Sequence, residues 1–425
     1  MPPATKTPSS GSGNPGTALE VRIARLWFWE GYYSRRGVDL QQYYGEPLAV
    51  TDIDLLAYDF GPRLARTKFI GEAKSGTGKN APKPLDRVIW LRGLRELVNA
   101  NAAELVTAVK PSMKVRRLAS SLGVTAQSLE DIERREQEAR IREVEAVGPH
   151  GVNALGHEER ARKVCKADPE LERAYWFLRA GVWFVDPFMA TKQLVTVFRQ
   201  LSKRWTPDVE DEDMFALRWL MSEALSVFGL NLATLVGMAL PHSRQSFGTL
   251  FEERLSEGAL PVHQMRALSE KIDDYIMGVL SAAKVSVPIR VDAMGAFQPQ
   301  LPDFGPPLLE LIDRMTAAPA QVRLFCRQLD VVAYEHLVQQ REISPRASTR
   351  LGLSRPDAGI LFRYLAAFLR SQTNTPQAVE QALHLTSNSE RTNPVRSGVL
   401  PEPPPVSDAS GQQSLLDGPE GSPES

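Results

Sequence analysis

Two short apolar runs that carry acidic residues constrain the fold of this chain more than any other feature. They cover residues 50–60 and 68–75, and glycine or proline follows each of them. Branched and aromatic residues bounded by turn formers predict β-strands. Seven residues, 61–67, separate the two runs, which is short enough for a hairpin. We therefore expect two strands that lie side by side in one sheet.

The alternation of side chains along these strands predicts a cluster of charges. Residues two apart share a face of a strand, so Glu72 and Lys74 point the same way, and Asp54 on the other strand can face them. Two carboxylates aimed at one point are costly unless a cation neutralises them, and a hard divalent metal does this with oxygen ligands. Mg²⁺ held by one or two carboxylates keeps positions for a phosphate oxygen and an attacking water.

The order of these residues resembles the PD-(D/E)XK nuclease superfamily. Its pattern is an acid at the end of one strand and then (D/E)-x-K on the next, which here is Asp54 followed by Glu72-Ala-Lys74. The run 52–57 (Asp-Ile-Asp-Leu-Leu-Ala) is similar to the acid-bearing strand of members like the Holliday-junction resolvases and Mrr-type restriction enzymes. Glu20, at the head of a predicted helix over 19–29, matches a glutamate that many members carry.

The resemblance covers about the first third of the chain and extends beyond the acids. A predicted helix over 85–98 and an apolar strand over 105–109 follow in the family's order. The proline that usually precedes the acid is missing, with Thr51 or Ile53 in its place. The resemblance implies an α/β fold: a small mixed sheet flanked by helices (restriction-endonuclease-like), followed by a mainly α-helical C-terminal region.

The resemblance also implies the roles of the site residues. Asp54 and Glu72 would hold Mg²⁺ or Mn²⁺, with the Ala73 carbonyl as an extra ligand. Lys74 would position or activate water, and Glu20 would orient the site or serve a second metal. The function implied is a metal-dependent endonuclease that hydrolyses DNA, in defence or in repair and recombination. An E-x-K run is also common on solvated strand faces. The alternative function is an inactive nuclease-like protein that binds nucleic acid or acts as a scaffold, with the helical region as an interaction domain.

Basic residues near the predicted strands suggest contacts with a nucleic-acid backbone. Residues 19–117 contain 17 Lys/Arg against 11 Asp/Glu, a modest surplus that fits a polyanion such as DNA. Arg35 and Arg36 fall in a predicted first strand and could meet phosphates, although solvated edge charges are an equal alternative. Lys79 and Lys83 lie in a basic loop after the E-x-K strand and could clamp the backbone.

The same loop superficially resembles a phosphate-binding loop. Residues 75–84 read Ser-Gly-Thr-Gly-Lys-Asn-Ala-Pro-Lys-Pro, but the first glycine of a Walker A motif would fall at Ala73. Asn80 stands where Ser or Thr would bind Mg²⁺. We therefore expect no ATP site.

Residues 115–135 have the spacing of a helix-turn-helix. Ala119, Gly123, Leu129 and Ile132 occupy positions that let two helices cross closely. The second helix would begin with acidic residues, which are poor neighbours for phosphates. The alternative is the helix that follows the last core strand in the superfamily.

The predicted organisation has five parts. They are a disordered tail (1–17), a nuclease-like domain (18–118), a helical connector with a possible helix-turn-helix (119–150), an α-helical domain (151–383) and a disordered acidic tail (384–425). The helices expected after the connector cover 169–184, 187–204, 211–240, 261–283, 306–317, 320–340 and 358–370. This region could bind a protein partner, a second protomer in a homodimer or the flanks of the substrate.

Composition excludes several other classes of protein. Cys165 and Cys326 are the two cysteines and lie far apart, so we expect neither a disulfide framework nor a cysteine zinc site, and the chain suits the reducing cytoplasm. The start of the sequence lacks a basic segment followed by an apolar run, so we expect no signal peptide. The apolar run 224–240 is interrupted by Asn231 and is expected to be a buried core helix, with no membrane partner.

Overall fold

The computed structural model describes residues 15–43, 47–76, 83–144, 146–206, 211–257, 262–283, 300–355 and 357–384. Statements below refer to these residues. The two predicted disordered tails lie outside them, except for 15–17, which are helical, and for His384. The described residues cluster as one compact unit.

A five-stranded mixed sheet forms the N-terminal part, in the order β1-β2-β3-β4-β5. The β1–β2 and β2–β3 pairs are antiparallel, and the β3–β4 and β4–β5 pairs are parallel. The strands are β1 (Tyr33–Tyr43), β2 (Pro47–Phe60), β3 (Arg66–Lys74), β4 (Ala102–Thr107) and β5 (Val124–Ser128). The two strands and the hairpin predicted from residues 50–75 are confirmed, and the predicted α/β class is confirmed with them.

Four helices accompany the sheet. They are α1 (Pro15–Glu30), α2 (Pro84–Leu97), α3 (Met113–Ser121) and α4 (Leu129–Glu138). Helix α2 has proline and Asp86 in its first turn. Both residue types stabilise the start of a helix. A capping box fixes the start of α4, since the Ser128 hydroxyl accepts from the Asp131 amide and the Asp131 carboxylate accepts from the Ser128 amide.

The predicted helix-turn-helix is wrong. Strand β5 lies between α3 and α4, and it pairs with β4 from Ala103–Val124 to Thr107–Ser128. Gly123, with φ of +69°, makes the turn out of α3 into this strand. The alternative, a helix after the last core strand, fits α4, which follows β5, whereas α3 lies between β4 and β5. The connector predicted to be helical over 119–150 is helical in part, because α4 ends at Glu138 and two short 3₁₀ turns, Ile141–Glu143 and Gly148–His150, follow it.

The C-terminal part is helical, as predicted. Its helices are α5 (Ala154–Cys165), α6 (Pro169–Arg179), α7 (Pro187–Arg204), α8 (Glu212–Ala239), α9 (Arg244–Ser256), α10 (Val262–Ala282), α11 (Gly305–Thr316), α12 (Pro319–Ala333), α13 (Pro345–Leu351), α14 (Ala358–Thr373) and α15 (Gln377–Leu383). One turn of π-helix, Tyr334–Val338, continues α12.

Helix α8 is the centre of the helical part. Among the described helices it is the one long and apolar enough to cross a membrane, and 94% of its apolar window is buried inside the protein. Asp211 caps its start by accepting from the Met214 amide, and Glu212 and Asp213 follow in the first turn. The prediction of a buried core helix over 224–240 is confirmed.

The sheet lies between α1 and the helical part. On one face, the position of a Cβ on Gly71 would be 2.7 Å from the Trp27 ring of α1, so glycine permits this close approach. On the other, the rings of Tyr33 and Tyr58 each lie with their centroids 6.3 Å from Trp183. This second face therefore packs against the helical part at one end of the strands. Asp54 and Glu72 lie on the same face, towards the opposite end of the strands.

Candidate active site

The pairing of β2 with its neighbours changes at Asp54. The β2–β3 ladder ends at Leu55–Gly71, and the β1–β2 ladder passes over Gly37 and Asp54. In place of a ladder bond, Oδ2 of Asp54 accepts a hydrogen bond of 2.9 Å from the Ala73 amide. The strands thus separate where the acid lies, and the carboxylate is anchored on β3.

The ammonium of Lys74 joins the two predicted acids. Its Nζ lies 3.1 Å from Oδ2 of Asp54 and 3.1 Å from Oε1 of Glu72. The two carboxylate oxygens therefore lie no further apart than twice that distance. Burial disfavours the charge on Lys74, but Asp54 and Glu72 outweigh it and raise its pKa. The structure brings together the three residues that the sequence indicated.

Glu72 is the most buried member of the group, with 2% of its side chain exposed. Burial raises the pKa of its carboxyl group, and Arg87 and Lys74 oppose that shift. Its Oε1 contacts both of these cations. Its Oε2 is buried and accepts no hydrogen bond from the part of the chain that the structure describes. A buried carboxylate oxygen without a donor is costly, and a cation would satisfy it.

Arg87 is a site residue that the sequence reasoning missed. It lies in the first turns of α2, contacts the Glu72 carboxylate and stacks over Trp90 with its guanidinium carbon 4.2 Å from the ring centroid. No motif marks Arg87, because its contact with Glu72 depends on how α2 packs against the sheet. The sequence signal that could have found Arg87 is its position in the first turns of the helix that follows the E-x-K strand.

Glu20 lies on α1 within electrostatic range of the pair. Burial and then the charge of Asp54 raise the pKa of Glu20, and Arg36 and Lys74 oppose the shift. Within the described residues, no three acidic, histidine or cysteine side chains are arranged to hold one metal. A bound metal would therefore take two protein carboxylates at most in this arrangement, which is usual for Mg²⁺.

The prediction that Arg35 contacts nucleic acid is wrong. Its guanidinium is buried between β1 and the helical part, where it donates to both carboxylate oxygens of Asp330 at 2.9 and 2.6 Å. It also donates to Ser226 at 2.6 Å, and its Nε lies 3.5 Å from Glu223. Arg35 fails as a surface residue because helices α8 and α12 cover that face of β1, which local sequence cannot reveal.

The other predicted nucleic-acid contacts have different positions. Arg36 pairs with Glu158 of α5 and is mostly buried, so it is not a solvated edge charge and is not free to bind phosphate. Lys83 is exposed at the start of α2, near Arg87, and keeps its predicted role as an expectation. Lys79 lies outside the described residues.

The donor set fits a hard divalent cation. Asp54 and Glu72 supply carboxylate oxygens that meet at one ammonium, and one oxygen of Glu72 has no hydrogen bond to the part of the chain that the structure describes. The Ala73 amide is occupied by Asp54, and a role for its carbonyl stays a prediction. No family model, curated protein or solved structure shows significant similarity to the chain.

Proposed function

We propose that this protein is a metal-dependent endonuclease that hydrolyses phosphodiester bonds of DNA. The observation that carries the proposal is the convergence of Asp54 and Glu72 on Lys74, with one oxygen of the buried Glu72 receiving no hydrogen bond from the described residues. The order of α1, three antiparallel strands, α2 and a parallel strand supports a restriction-endonuclease-like fold. It agrees with the arrangement that the PD-(D/E)XK resemblance implies.

Asp54 and Glu72 would hold Mg²⁺ or Mn²⁺. When bound, the metal supplies positive charge at the scissile phosphate and makes a coordinated water more acidic. Asp54 is oriented by its bond to the Ala73 amide, so its carboxylate is set before substrate arrives. Lys74 contacts both Asp54 and Glu72, and Arg87 contacts Glu72, so these two cations reduce the repulsion between the carboxylates.

Lys74 would act as a cation and hydrogen-bond donor. Its raised pKa keeps the ammonium protonated at neutral pH, which suits holding a nucleophilic water and balancing charge on the phosphate. The same shift disfavours a role as the base that removes a proton from water. Glu20, whose pKa burial and the charge of Asp54 raise, would orient the site or serve a second metal.

A second function fits one observation. Glu72 already contacts two cations, Lys74 and Arg87, so its charge is balanced without a metal. A nuclease-like protein that binds nucleic acid or acts as a scaffold needs no more than this. In that case the helical part would carry the interaction with a partner.

Cleavage assays separate the two functions. Linear, supercoiled, branched and single-stranded DNA are incubated with Mg²⁺ or Mn²⁺ and either the wild type or Lys74→Ala. The nuclease hypothesis predicts metal-dependent cutting of at least one DNA by the wild type. In Lys74→Ala the cutting rate should fall about 100-fold or more, which corresponds to about 3 kcal/mol. Binding without cutting by both proteins would favour the scaffold. An Arg199→Ala variant, changed in α7, controls for general loss of structure.

A further inference from the structure

Strand β1 has an irregular residue beside Asp54. Gly37 has φ of +56°, the left-handed region that favours glycine, and the β1–β2 ladder passes from Arg36–Leu55 to Val38–Ile53 without it. Because the β2–β3 ladder ends at Leu55, β1 is the strand that pairs with β2 on the N-terminal side of Asp54. The backbone at Gly37 therefore lies next to the backbone that presents Asp54.

One arginine of the helical part binds the backbone of strand β1 at the irregular residue Gly37. Arg179, the last residue of α6, donates from Nη2 to the carbonyl of Arg36 at 3.0 Å and to that of Gly37 at 2.8 Å. These two carbonyls lie where the regular ladder is interrupted. The Arg179 side chain is buried, so its bonds are shielded from water and its position is fixed by packing.

A mostly buried ion pair fixes Arg179 in turn. Nη2 of Arg179 lies 2.9 Å from Glu158 of α5, which also contacts Arg36 of β1. Burial disfavours the charge on Glu158, but Arg179 and Arg36 outweigh it and lower its pKa. The carboxylate therefore stays charged at neutral pH and keeps both arginines in place. Glu158 of α5, Arg179 of α6 and Arg36 of β1 thus meet beside the backbone at Gly37.

We propose that Arg179 is a positioning residue for the carboxylate site, holding β1 at Gly37 so that Asp54 stays bonded to the Ala73 amide. It touches neither Asp54 nor Lys74 within hydrogen-bond distance, so it is not catalytic. Catalytic groups must be held within about half an ångström of their productive positions. Residues that pack around them or bond to their backbone supply this precision. The link to metal binding rests on the proposed function, but the link to Asp54 does not.

The first test measures exchange of the Ala73 amide hydrogen without metal, in protein labelled with ¹⁵N-alanine. The Ala103 amide of β4 is the internal reference, because general loss of stability speeds exchange at both alanines. Arg179→Ala is expected to raise the Ala73 rate about tenfold relative to Ala103, since it weakens the partly buried hydrogen bond from the Ala73 amide to Asp54. Arg179→Lys, which can still donate to a carbonyl, is expected to recover part of the difference.

Arg199→Ala is the matched control. Arg199 also bonds a backbone carbonyl and a carboxylate, those of Gln372 and Asp303, but within the helical part. It is expected to leave the Ala73 to Ala103 ratio unchanged. Gly37→Ala perturbs the same turn from the other side, since its Cβ would lie 3.3 Å from Nη2 of Arg179, and keeps the test open if Arg179→Ala fails to fold.

The possible results separate the two claims. An unchanged ratio in Arg179→Ala or Gly37→Ala, with lowered melting temperature, would overturn the positioning role. A raised ratio supports it, and Mn²⁺ titration of the same proteins then tests the metal. A wild type that binds no Mn²⁺ would count against the proposed nuclease and leave the positioning role standing. Weaker Mn²⁺ binding in Arg179→Ala than in Arg199→Ala would connect the two.

Discussion

The buried pair of Arg35 and Asp330 offers the sharpest test of how the sheet is joined to the helical part. Asp330 accepts two hydrogen bonds from Arg35 and one of 2.6 Å from Ser226, and less than 5% of each charged side chain is exposed. Burial disfavours the charge on Arg35, yet the neighbouring acids outweigh it and raise its pKa well above the usual value. Asp330→Asn keeps the shape of the residue and removes its charge.

The magnitude follows from what remains around Arg35. Breaking one partner of a buried ion pair costs about 3–5 kcal/mol, because the other charge is left uncompensated. Glu223, 3.5 Å from the Arg35 Nε, remains. Burial and Asp330 together raise the pKa of Glu223, with Arg35 opposing, so removing Asp330 makes Glu223 a better anion. We therefore expect a loss near the lower end, about 3 kcal/mol, out of a total of about 5–15 kcal/mol for a typical domain.

Urea denaturation at pH 7, followed by tryptophan fluorescence and circular dichroism, measures this loss. Arg35→Met alone is expected to cost as much as Asp330→Asn or more, because it leaves a buried carboxylate unpaired. The double variant Arg35→Met/Asp330→Leu should recover much of the loss, which a double-mutant cycle quantifies. Single variants that each cost less than about 1 kcal/mol would refute the reasoning, since that is the range of exposed pairs.

Two further predictions concern pH and packing. Burial lowers the pKa of His150 from 6.5 to about 3, so the unfolded chain takes up this proton first as the pH falls. The free energy of unfolding should then decrease below about pH 6.5 by up to about 1.4 kcal/mol per pH unit, and His150→Gln should reduce that slope in denaturation curves measured from pH 7 to 4. Gly71→Ala should destabilise the protein by about 1–3 kcal/mol, since its Cβ would meet Trp27 at 2.7 Å, and an unchanged melting temperature would contradict that packing.

The sequence was sufficient for features that depend on local pattern. Alternation within 50–60 and 68–75 predicted β2, β3 and the shared face of Asp54, Glu72 and Lys74, because side-chain period is a property of the strand itself. Prolines in first turns and acidic first turns located helices such as α7 and α8 within one or two residues. These signals depend on residues close together in the sequence, so long-range packing does not alter the structure that they predict.

Features that depend on long-range packing were missed. Strand β5 was read as part of a helix-turn-helix because it is only five residues long and Val124 is its one large apolar residue, so pairing with β4 decides its conformation. Arg35 was predicted to be a surface residue, but α8 and α12 cover it in the folded protein. Arg87 reaches Glu72 from another element. A charged side chain has no local signature of the partner it will meet.

Titration of Mn²⁺ into the metal-free protein, by calorimetry, tests the central claim most directly. The account predicts saturable binding by the wild type that falls at least tenfold in affinity in both Asp54→Asn and Glu72→Gln, about 1.4 kcal/mol or more each. Asp52→Asn, which changes an exposed acid two residues before Asp54, is the matched control and should bind like the wild type. A wild type that binds no Mn²⁺, or equal binding by all four proteins, would contradict the claim that Asp54 and Glu72 form a metal site.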